Sequence, residues 1–428
     1  MIKTTELIRV IKLIEEIIKY LALGIMLSRR LNNVEEELLL NVIATFMVNI
    51  EIIRLKPPRI KQRIITAKFL LSIDLVMLNL IILCLNSCFN LFHDDLKSCF
   101  SQTLFMKVLV TGGAGRMGNV LVRNLIQQKY EVMVLILPHE DISSIKGLNV
   151  KLVEGNILDY ELLKKIMKGI DYVFHLASMI SIVSYNKDKV MKVNVEGTEN
   201  VINACLENNV KRLVYVSTIH SLHSNNKTIN ESSGFNINAP TGVYDKSKAI
   251  ASLKVMKAVE SRKLDAIIVC PTGLMGPYDY QISSFGKYII DYVKKKLFFY
   301  LDGSYDFVDV RDVTSAMIKL LKKAKKGEVF ILSGQDITIK EFNQVLFKET
   351  KIKPPMKIPF TISYLFSFLS QLYYRISKKT PVITPYAIMT LRTNTKFSHK
   401  KAKKLINYSP RSFKNHSLTK LGGLKRKK

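Results

Sequence analysis

The two side chains with the clearest chemical potential are Tyr244 and Lys248, in the stretch Tyr244-Asp-Lys-Ser-Lys248. Residues four apart share one face of a helix, so the phenol and the ammonium can lie side by side. An ammonium 4 Å from a phenolate stabilises it by roughly 4 kcal/mol at an effective dielectric of 20. That energy lowers the phenol pKa by about one to three units before desolvation is subtracted. The pair therefore predicts a tyrosine that exchanges protons near neutrality; a chance pairing on a helix surface is the alternative.

A hydroxyl pair, Ser217-Thr218, ends a run of strand-forming residues at 212–217. Doubly wound folds place their sites at the carboxyl ends of their strands. A hydroxyl at this position can hydrogen-bond a substrate carbonyl or alcohol oxygen beside the tyrosine. The alternative is a simple turn or helix-capping residue.

A glycine-rich turn lies in the stretch Lys107-Val-Leu-Val-Thr-Gly-Gly-Ala-Gly-Arg-Met-Gly118. Apolar strand formers precede it, and an apolar pattern at helical spacing follows it. Gly112, Gly115 and Gly118 would allow a tight turn, a close approach of the backbone to a pyrophosphate, and close packing of helix on strand. The stretch predicts a dinucleotide-binding turn at a helix N-terminus, with an ordinary strand-to-helix turn as the alternative.

Apolar strands alternate with helices from Met106 onward, which predicts an α/β fold with a doubly wound parallel sheet of the Rossmann type. The predicted strands are 108–110, Glu131–Leu137, Val150–Glu154, Tyr172–Leu176, Arg212–Ser217, Ala266–Cys270 and Val329–Leu332. The predicted helices run to about Lys129 and over Tyr160–Met167, Asp188–Asn208 and Tyr244–Ser261.

Eight motifs in order resemble the extended short-chain dehydrogenase/reductase family, also called the NAD-dependent epimerase/dehydratases. They are Thr111-Gly-Gly-Ala-Gly-Arg-Met-Gly118, Gly155-Asn-Ile-Leu-Asp159, His175-Leu-Ala177, Asn194-Val-Glu-Gly-Thr198, Val214-Tyr-Val-Ser-Thr218, Tyr244–Lys248, Pro271-Thr-Gly-Leu-Met-Gly-Pro277 and Phe307-Val-Asp-Val-Arg-Asp-Val313. The resemblance covers Met106 to Phe413, including Asn407-Tyr-Ser-Pro-Arg-Ser-Phe413. Within this family, the sequence most resembles the dihydroflavonol-reductase-like and 3β-hydroxysteroid-dehydrogenase-like branch.

The resemblance implies a role for each matching residue. The implied catalytic set is Thr218, Tyr244, Lys248 and Asn194, with Lys248 also holding the cofactor ribose. The implied cofactor-binding residues are Gly112, Gly115, Arg116, Met117, Gly118, Asn156, Ile157, Leu176, Ala177, Ser217, Tyr244, Lys248, Pro271, Thr272 and Gly273. Asp309 and Arg311–Asp312 would support the substrate-binding lobe. The implied domains are 106–277 for NAD(P) binding and 278–413 for a smaller C-terminal substrate lobe, one strand of which returns to the main sheet.

Two positions depart from the family pattern and leave NAD or NADP undecided. Asn156 stands where relatives usually carry Asp beside the adenine amino group, although an amide oxygen can still accept that hydrogen bond. Leu137-Pro138-His139 ends the second strand where relatives often show Asp for NAD or Arg for NADP. The nearby Glu140 and Asp141 favour NAD slightly, whereas Arg116 in the glycine turn favours NADP.

Residues 1–105 form a predicted α-helical extension whose purpose the sequence leaves open. Residues 69–92 are apolar for about 24 residues, long enough to span a bilayer. Asp74 and three asparagines weaken that interpretation, so a buried or membrane-surface helix is the main alternative. The α/β domain is complete from Met106, and the residues ahead of it are either an added module or an over-extended reading frame.

Charge is concentrated at the C-terminus. The 428-residue chain has a formal charge of +30, with no acidic residue after Glu349 and nineteen Lys and Arg from Lys351 onward. Such a tail, 414–428 at its end, suits an anionic membrane surface or simply a solvated segment. A nucleic-acid partner is not expected, because the tail lacks interleaved aromatic residues. The apolar stretch Ile358–Tyr374 predicts a helix of the substrate lobe, or a substrate entrance or membrane-surface helix.

Five cysteines without a CxxC pair or zinc-like spacing predict reduced thiols, a cytoplasmic setting and no metal site. The expected reaction is hydride transfer between a nicotinamide and a carbonyl or hydroxyl carbon of a small, apolar substrate. A nucleotide-sugar epimerase or dehydratase is the alternative enzyme, and a non-redox NAD(P)-binding scaffold or sensor at the membrane is the alternative of another class. The family resemblance further implies a homodimer.

Overall fold

The structure is a computed structural model that describes residues 105–180, 186–224, 228–238, 242–301, 303–363 and 395–413. The predicted N-terminal helices, the apolar stretch 69–92, most of the 358–374 stretch and the basic tail 414–428 lie outside the described residues. Within the described part, no helix combines the length and apolar character needed to cross a bilayer.

Fourteen strands and nine α-helices make up the described chain. The strands are β1 Lys107–Thr111, β2 Glu131–Ile136, β3 Lys151–Glu154, β4 Tyr172–His175, β5 Arg212–Val216, β6 Thr228–Ile229, β7 Ala266–Pro271, β8 Gly273–Met275, β9 Phe299–Leu301, β10 Ser304–Asp309, β11 Val329–Leu332, β12 Gln335–Thr338, β13 Met356–Ile358 and β14 Lys396–Phe397. The helices are α1 Gly118–Gln127, α2 Tyr160–Ile166, α3 Lys187–Met191, α4 Gly197–Glu207, α5 Val243–Ser261, α6 Ser284–Val293, α7 Val310–Lys323, α8 Ile339–Thr350 and α9 Lys400–Ile406.

Seven strands form one parallel sheet in the order β11-β7-β5-β4-β1-β2-β3. Because side chains alternate along a strand, Val108 and Val110 of β1 enter one core layer while Leu109 enters the other. Helices α1, α7 and α9 contribute to the first layer, and α2, α4 and α5 contribute to the second. Burial of both faces explains why these strands are continuously apolar, and it confirms the predicted doubly wound sheet.

The predicted helix Asp188–Asn208 is not continuous. It is divided into α3, a π-helical segment Lys192–Glu196 and α4. Gly197 N donates to Lys192 O, five residues back, and the Thr198 hydroxyl donates to Asn194 O at 2.6 Å. The periodicity of the sequence could not reveal this extra residue in one turn, because a single π turn hardly changes which residues face the core.

A second, smaller sheet carries the aromatic part of the chain. Its order is β12-β10-β8, with β10 parallel to β8 and antiparallel to β12. Its core contains Phe307, Phe342 and Phe413. The two sheets interleave along the chain: β8 precedes residue 278 but belongs to the small sheet, whereas α7, β11 and α9 return to the main layers.

Candidate active site

The glycine turn lies where strand order reverses, between β1 and β4. Gly112 has φ +72°, and a Cβ on it would lie 2.8 Å from the backbone nitrogen of Ala177. A Cβ on Gly118 would lie 2.7 Å from Gly113 Cα. Gly115 N donates to Gly112 O at 3.2 Å. Only glycine fits at positions 112 and 118, so the turn leaves a bare backbone concavity at the start of α1 that suits a pyrophosphate.

Arg116 points from this turn toward the segment before α6. Its Nε lies 3.4 Å from Asp279 Oδ1, and the Asp279 side chain is 2% exposed. Burial lowers the pKa of the Arg116 guanidinium, and the Asp279 carboxylate opposes that change. Met117 precedes α1 at its capping position. The Arg116 guanidinium therefore forms an ion pair with Asp279, and the sequence did not indicate this pairing.

The side of the site predicted to hold adenine and ribose is open to solvent. Asn156 Oδ1 accepts from Leu158 N at 3.0 Å in a turn before α2, and Ile157 beside it is buried. Leu137, just after β2, is 49% exposed, and its amide donates to Glu140 Oε2 at 2.8 Å. The Glu140 carboxylate thus lies at the end of β2.

Lys248 is buried at the end of β5. Its Nζ donates to Val216 O at 2.5 Å and lies 4.3 Å from the centre of the Tyr215 ring. Burial lowers the pKa of the Lys248 ammonium to about 7, with a small opposing contribution from Cys270. Lys248 on α5 therefore lies at the carboxyl end of β5, which Ser217 and Thr218 follow in the chain.

Tyr244, at the first turn of α5, is half-buried. Burial raises the pKa of its phenol above the ordinary value, the Asp245 charge adds to the rise, and a hydrogen bond with Ser178 opposes it. The spacing predicted a lowered pKa caused by Lys248. In the structure the Lys248 ammonium is bonded to Val216 O, and burial determines the direction of the Tyr244 shift.

Asn194 connects the π-helical segment to α5. Its Oδ1 accepts from Met179 N at 2.7 Å, and its Nδ2 donates to Met179 O at 3.0 Å and to Ser247 Oγ at 2.9 Å. The Ser247 hydroxyl in turn donates to Tyr244 O at 2.7 Å. The predicted residues Asn194 and Tyr244 therefore belong to one hydrogen-bond network.

Thr218 caps the short 3₁₀ helix Ile219–Ser221. Its Oγ1 accepts from His220 N at 3.3 Å, so the hydroxyl proton can still be donated to a substrate oxygen. Ser217 bonds the hydroxyls of Ser221 and Ser252 at 3.0 and 2.8 Å. Both residues lie at the carboxyl end of β5, as predicted, and Ser217 braces the strand end.

The Pro271-Thr-Gly273 segment passes from the main sheet to the small one. Thr272 N donates to Leu332 O at 3.2 Å. Gly273 packs against the ring of Tyr305, whose hydroxyl lies 2.8 Å from His220 Nε2. The predicted cofactor residues therefore lie next to a tyrosine–histidine pair that spans the two sheets.

Sequence reasoning missed several polar neighbours of the site, namely Ser178, Ser247, His220, Tyr305 and Asp279. Ser178 directly follows the His175-Leu-Ala177 motif, and Ser247 lies inside the Tyr244–Lys248 stretch, so proximity to a motif was a usable signal for both. His220, Tyr305 and Asp279 come together only through tertiary structure.

Comparison with known proteins agrees with this geometry. The profile of the NAD dependent epimerase/dehydratase family matches residues 108–333. Sterol demethylase protein B of Methylococcus capsulatus is 27% identical over 312 residues, covering 72% of this chain and 94% of the relative. The Arabidopsis thaliana 3beta-hydroxysteroid-dehydrogenase/decarboxylase isoform 1 is 28% identical over 338 residues, which cover 71% of this chain and 75% of the relative. The crystal structure of gox2253 superposes on this chain with a TM-score of 0.63 at 29% identity. The superposition covers 72% of this chain and 95% of gox2253.

The matched region spans more than half of the chain and contains the glycine turn, the π-helical segment, Thr218 and the Tyr244–Lys248 pair. Dinucleotide binding therefore rests on both the cradle geometry and the family match. The chain belongs to the NAD dependent epimerase/dehydratase family, and it is an extended short-chain dehydrogenase/reductase enzyme that uses a nicotinamide cofactor and a small-molecule substrate.

Proposed function

We propose that this enzyme interconverts a ketone and a secondary alcohol on an apolar, sterol-like substrate, with ketone reduction as the favoured assignment. The observation that carries the proposal is that two hydrogen-bonded contacts anchor α5. Lys248 Nζ donates to Val216 O at the end of β5 at 2.5 Å, and Asn194 is joined through Ser247 Oγ to the backbone carbonyl of Tyr244. A scaffold that only binds a dinucleotide has no need of this arrangement.

In this mechanism Tyr244 exchanges the proton of the substrate oxygen. Its raised phenol pKa keeps it protonated at neutral pH, which is the form that donates to a ketone oxygen. The Thr218 hydroxyl donates a hydrogen bond to the same oxygen and orients it. Lys248, when protonated, stabilises the phenolate left behind, and Asn194 holds the first turn of α5 in place through Ser247.

The chain's own residues fit a nicotinamide dinucleotide. The bare backbone of Gly112–Gly118 would hold the pyrophosphate, Leu176 and Ala177 would line the middle of the cofactor, and Pro271–Gly273 would lie on the nicotinamide side. The nicotinamide ring supplies or accepts the hydride at its C4 carbon when bound.

An apolar substrate is supported by the aromatic side of the small sheet. Tyr305 packs on Gly273 and lies 5.2 Å from the Phe307 ring, which lies 4.3 Å from Phe285. The names of two relatives, a sterol demethylase protein and a 3β-hydroxysteroid dehydrogenase/decarboxylase, favour the same substrate class. A nucleotide sugar is the alternative substrate.

Tyr244→Phe tests the mechanism. Oxidation or reduction of the nicotinamide would be followed with 3-oxosteroids, 3β-hydroxysteroids, dihydroflavonols and nucleoside-diphosphate sugars. We expect the variant to lose about 10²–10⁴-fold in kcat, because its phenyl ring has no proton to transfer, while NADH binding measured by fluorescence is retained. Tyr288→Phe is the matched control, because the Tyr288 hydroxyl bonds Asn343 at 2.9 Å within the lobe. Equal turnover by Y244F and the parent would refute the role of Tyr244. If the parent turned over only nucleoside-diphosphate sugars, the substrate would be a nucleotide sugar and not an apolar molecule.

For the cofactor we propose NAD rather than NADP. Glu140 Oε2 accepts from Leu137 N at 2.8 Å, so its carboxylate lies at the end of β2 where a 2′-phosphate would meet a like charge. Arg116, the nearby cation of the glycine turn, is paired with Asp279 at 3.4 Å. Both observations favour a ribose hydroxyl over a phosphate.

Glu140→Gln tests the choice of cofactor. Removal of one like charge near 4 Å is worth about 1–4 kcal/mol, so NADPH should bind on the order of tenfold more tightly to E140Q than to the parent. NADH affinity should stay nearly constant. Asp141→Asn is the control, because Asp141 is exposed and bonds only its own turn through Ser143 N at 2.9 Å. A parent enzyme that binds NADPH more tightly than NADH would overturn this proposal without affecting the Tyr244 mechanism.

A further inference from the structure

An exposed apolar surface lies where α6 is followed by β9. β9 and β13 pair in parallel with Met356 opposite Phe299, and Met356 N donates to Phe298 O at 2.9 Å. The side chains of Phe298, Met356 and Phe299 are 73%, 66% and 52% exposed. We call these three residues the Phe298 patch. Neighbouring large apolar side chains exposed together mark an interaction surface rather than ordinary scatter.

Lysines surround the Phe298 patch. Lys294, Lys295 and Lys296 are exposed in the turn between α6 and β9, and Lys351 and Lys353 are exposed just before β13. The Tyr292 hydroxyl donates to Ile352 O at 2.6 Å, which fastens the second group of lysines beside the end of α6. The stretches 292–301 and 351–363 contain no Asp or Glu. Within these two stretches, the charged side chains beside the patch are therefore all lysines.

We propose that the Phe298 patch docks on an anionic lipid bilayer surface. Exposed phenylalanine and methionine side chains insert into the headgroup–acyl boundary, while lysines around them interact with acidic headgroups. A second copy of this chain fits less well, because an isologous contact would bring two lysine rims together. The proposal is independent of the reaction assigned above, since none of these residues belongs to the site.

The sequence offers a direct test because it contains no tryptophan. Phe298→Trp in the full chain gives a single tryptophan within the patch, which can be excited selectively at 295 nm or above. With vesicles of equal parts phosphatidylcholine and phosphatidylserine, we expect a blue shift of its emission and quenching by brominated lipid. Leu152→Trp is the matched control, because Leu152 is 40% exposed on the edge strand β3 of the main sheet, which contains neither β9 nor β13. Its emission should not change.

Vesicle binding with unchanged F298W emission would overturn the proposal, because another segment would then hold the membrane. A blue shift that depends on protein concentration without vesicles would overturn it in favour of self-association. No binding to the phosphatidylserine-containing vesicles would also overturn it.

A charge-matched pair of triple variants tests the rim. Lys294→Gln, Lys295→Gln and Lys296→Gln together should weaken binding to the phosphatidylserine vesicles by roughly fivefold for each lysine removed. Lys323→Gln, Lys325→Gln and Lys326→Gln remove the same charge at the exposed end of α7, away from the patch. This control should bind within about twofold of the parent. Equal losses in both triples would show a non-specific charge effect and would overturn the proposed docking surface.

Discussion

At the scale of single residues, His175 is the most constrained polar group of the site. It is completely buried at the end of β4. The Thr198 hydroxyl donates to Asn194 O, so its oxygen accepts from His175 Nε2 at 3.0 Å. His175 Nδ1 must then accept from the Thr111 hydroxyl at 2.7 Å, and Thr111 Oγ1 accepts from Ala177 N at 3.3 Å. With this assignment each donor in the chain of hydrogen bonds has an acceptor, and His175 is the neutral tautomer that carries its proton on Nε2.

The buried His175 makes the stability of the protein depend on pH. Burial and the Lys248 charge lower the pKa of its imidazole to about 3, against about 6.5 in an unfolded chain. Between these values the unfolded state binds the proton and the native state does not. Stability is therefore present above the unfolded value and is lost as the pH falls toward 3.

His175→Gln should flatten this pH dependence. Glutamine can still donate and accept hydrogen bonds but does not titrate. Between pH 6 and 4 the slope of unfolding free energy should be shallower than in the parent by up to about 1.4 kcal/mol per pH unit, measured by urea unfolding. The exposed His139 has φ 62°, so His139→Asn is a suitable control that should keep the parent slope. Parallel slopes for H175Q and the parent would contradict the buried neutral imidazole.

The sequence could predict that Tyr244 and Lys248 lie on a helix and that the glycines form a turn, because that information is local. Tyr244 and Lys248 share a helix face by spacing alone, and the glycine spacing follows from backbone sterics. The pKa of Tyr244 was not predictable, since it depends on burial and on the bond from Lys248 to Val216 O. The partners of Asn194 and Arg116 come from distant parts of the chain, so no local pattern indicates them.

At the scale of elements, the segment before α6 lies over the glycine turn. Asn119 Nδ2 donates to Tyr278 O at 3.2 Å, and the Arg123 guanidinium lies 4.6 Å from the Tyr278 ring centre. The Arg116–Asp279 ion pair is the third connection. Asp279 also accepts from Ser283 N at 3.1 Å, at the start of α6. Tyr278 and Asp279 thus connect the glycine turn and α1 to the start of α6.

Asp279→Asn should weaken this connection and release Arg116. Loss of the buried carboxylate should lower the unfolding free energy by about 1–3 kcal/mol. A released guanidinium can bind a phosphate, so NADPH affinity should rise on the order of tenfold while NADH affinity changes less. Asp291→Asn on the following helix α6 breaks the surface ion pair with Lys287 and should cost under about 1 kcal/mol. Cofactor affinities and stability identical to the parent in D279N would rule out this role for the pair.

Element boundaries followed the sequence wherever apolar runs are long. β11 begins and ends as predicted, and the other main-sheet strands differ by a residue or two at an end. The short strands of the small sheet were not predicted. β8 has three residues and β12 reads Gln-Asp-Ile-Thr, so neither shows enough alternation to be recognised without its partner β10.

At the scale of the whole molecule, the described strands of the main sheet begin with β1 and end with β11. β1 lies between β4 and β2, so both of its edges are already hydrogen-bonded. Its first residue is secured as well, because Lys107 N donates to Asp171 Oδ2 at 2.7 Å and Glu131 N donates to Met106 O at 3.1 Å. No residue before Met106 is needed to pair a strand at this position.

We therefore expect a chain that begins at Met106 to fold and to bind NADH with an affinity within about twofold of the full chain. The physical reason is that every residue proposed to bind the cofactor lies within 108–333, and β1 is already paired on both sides. Fluorescence titration with NADH measures the affinity, and thermal unfolding with and without NADH shows whether binding still stabilises the fold. A chain that begins at Val110 is the informative control, because it lacks Lys107, Val108 and Leu109 and so loses the first half of β1. If the Met106 chain loses NADH binding as the Val110 chain does, residues 1–105 contribute to the cofactor domain itself.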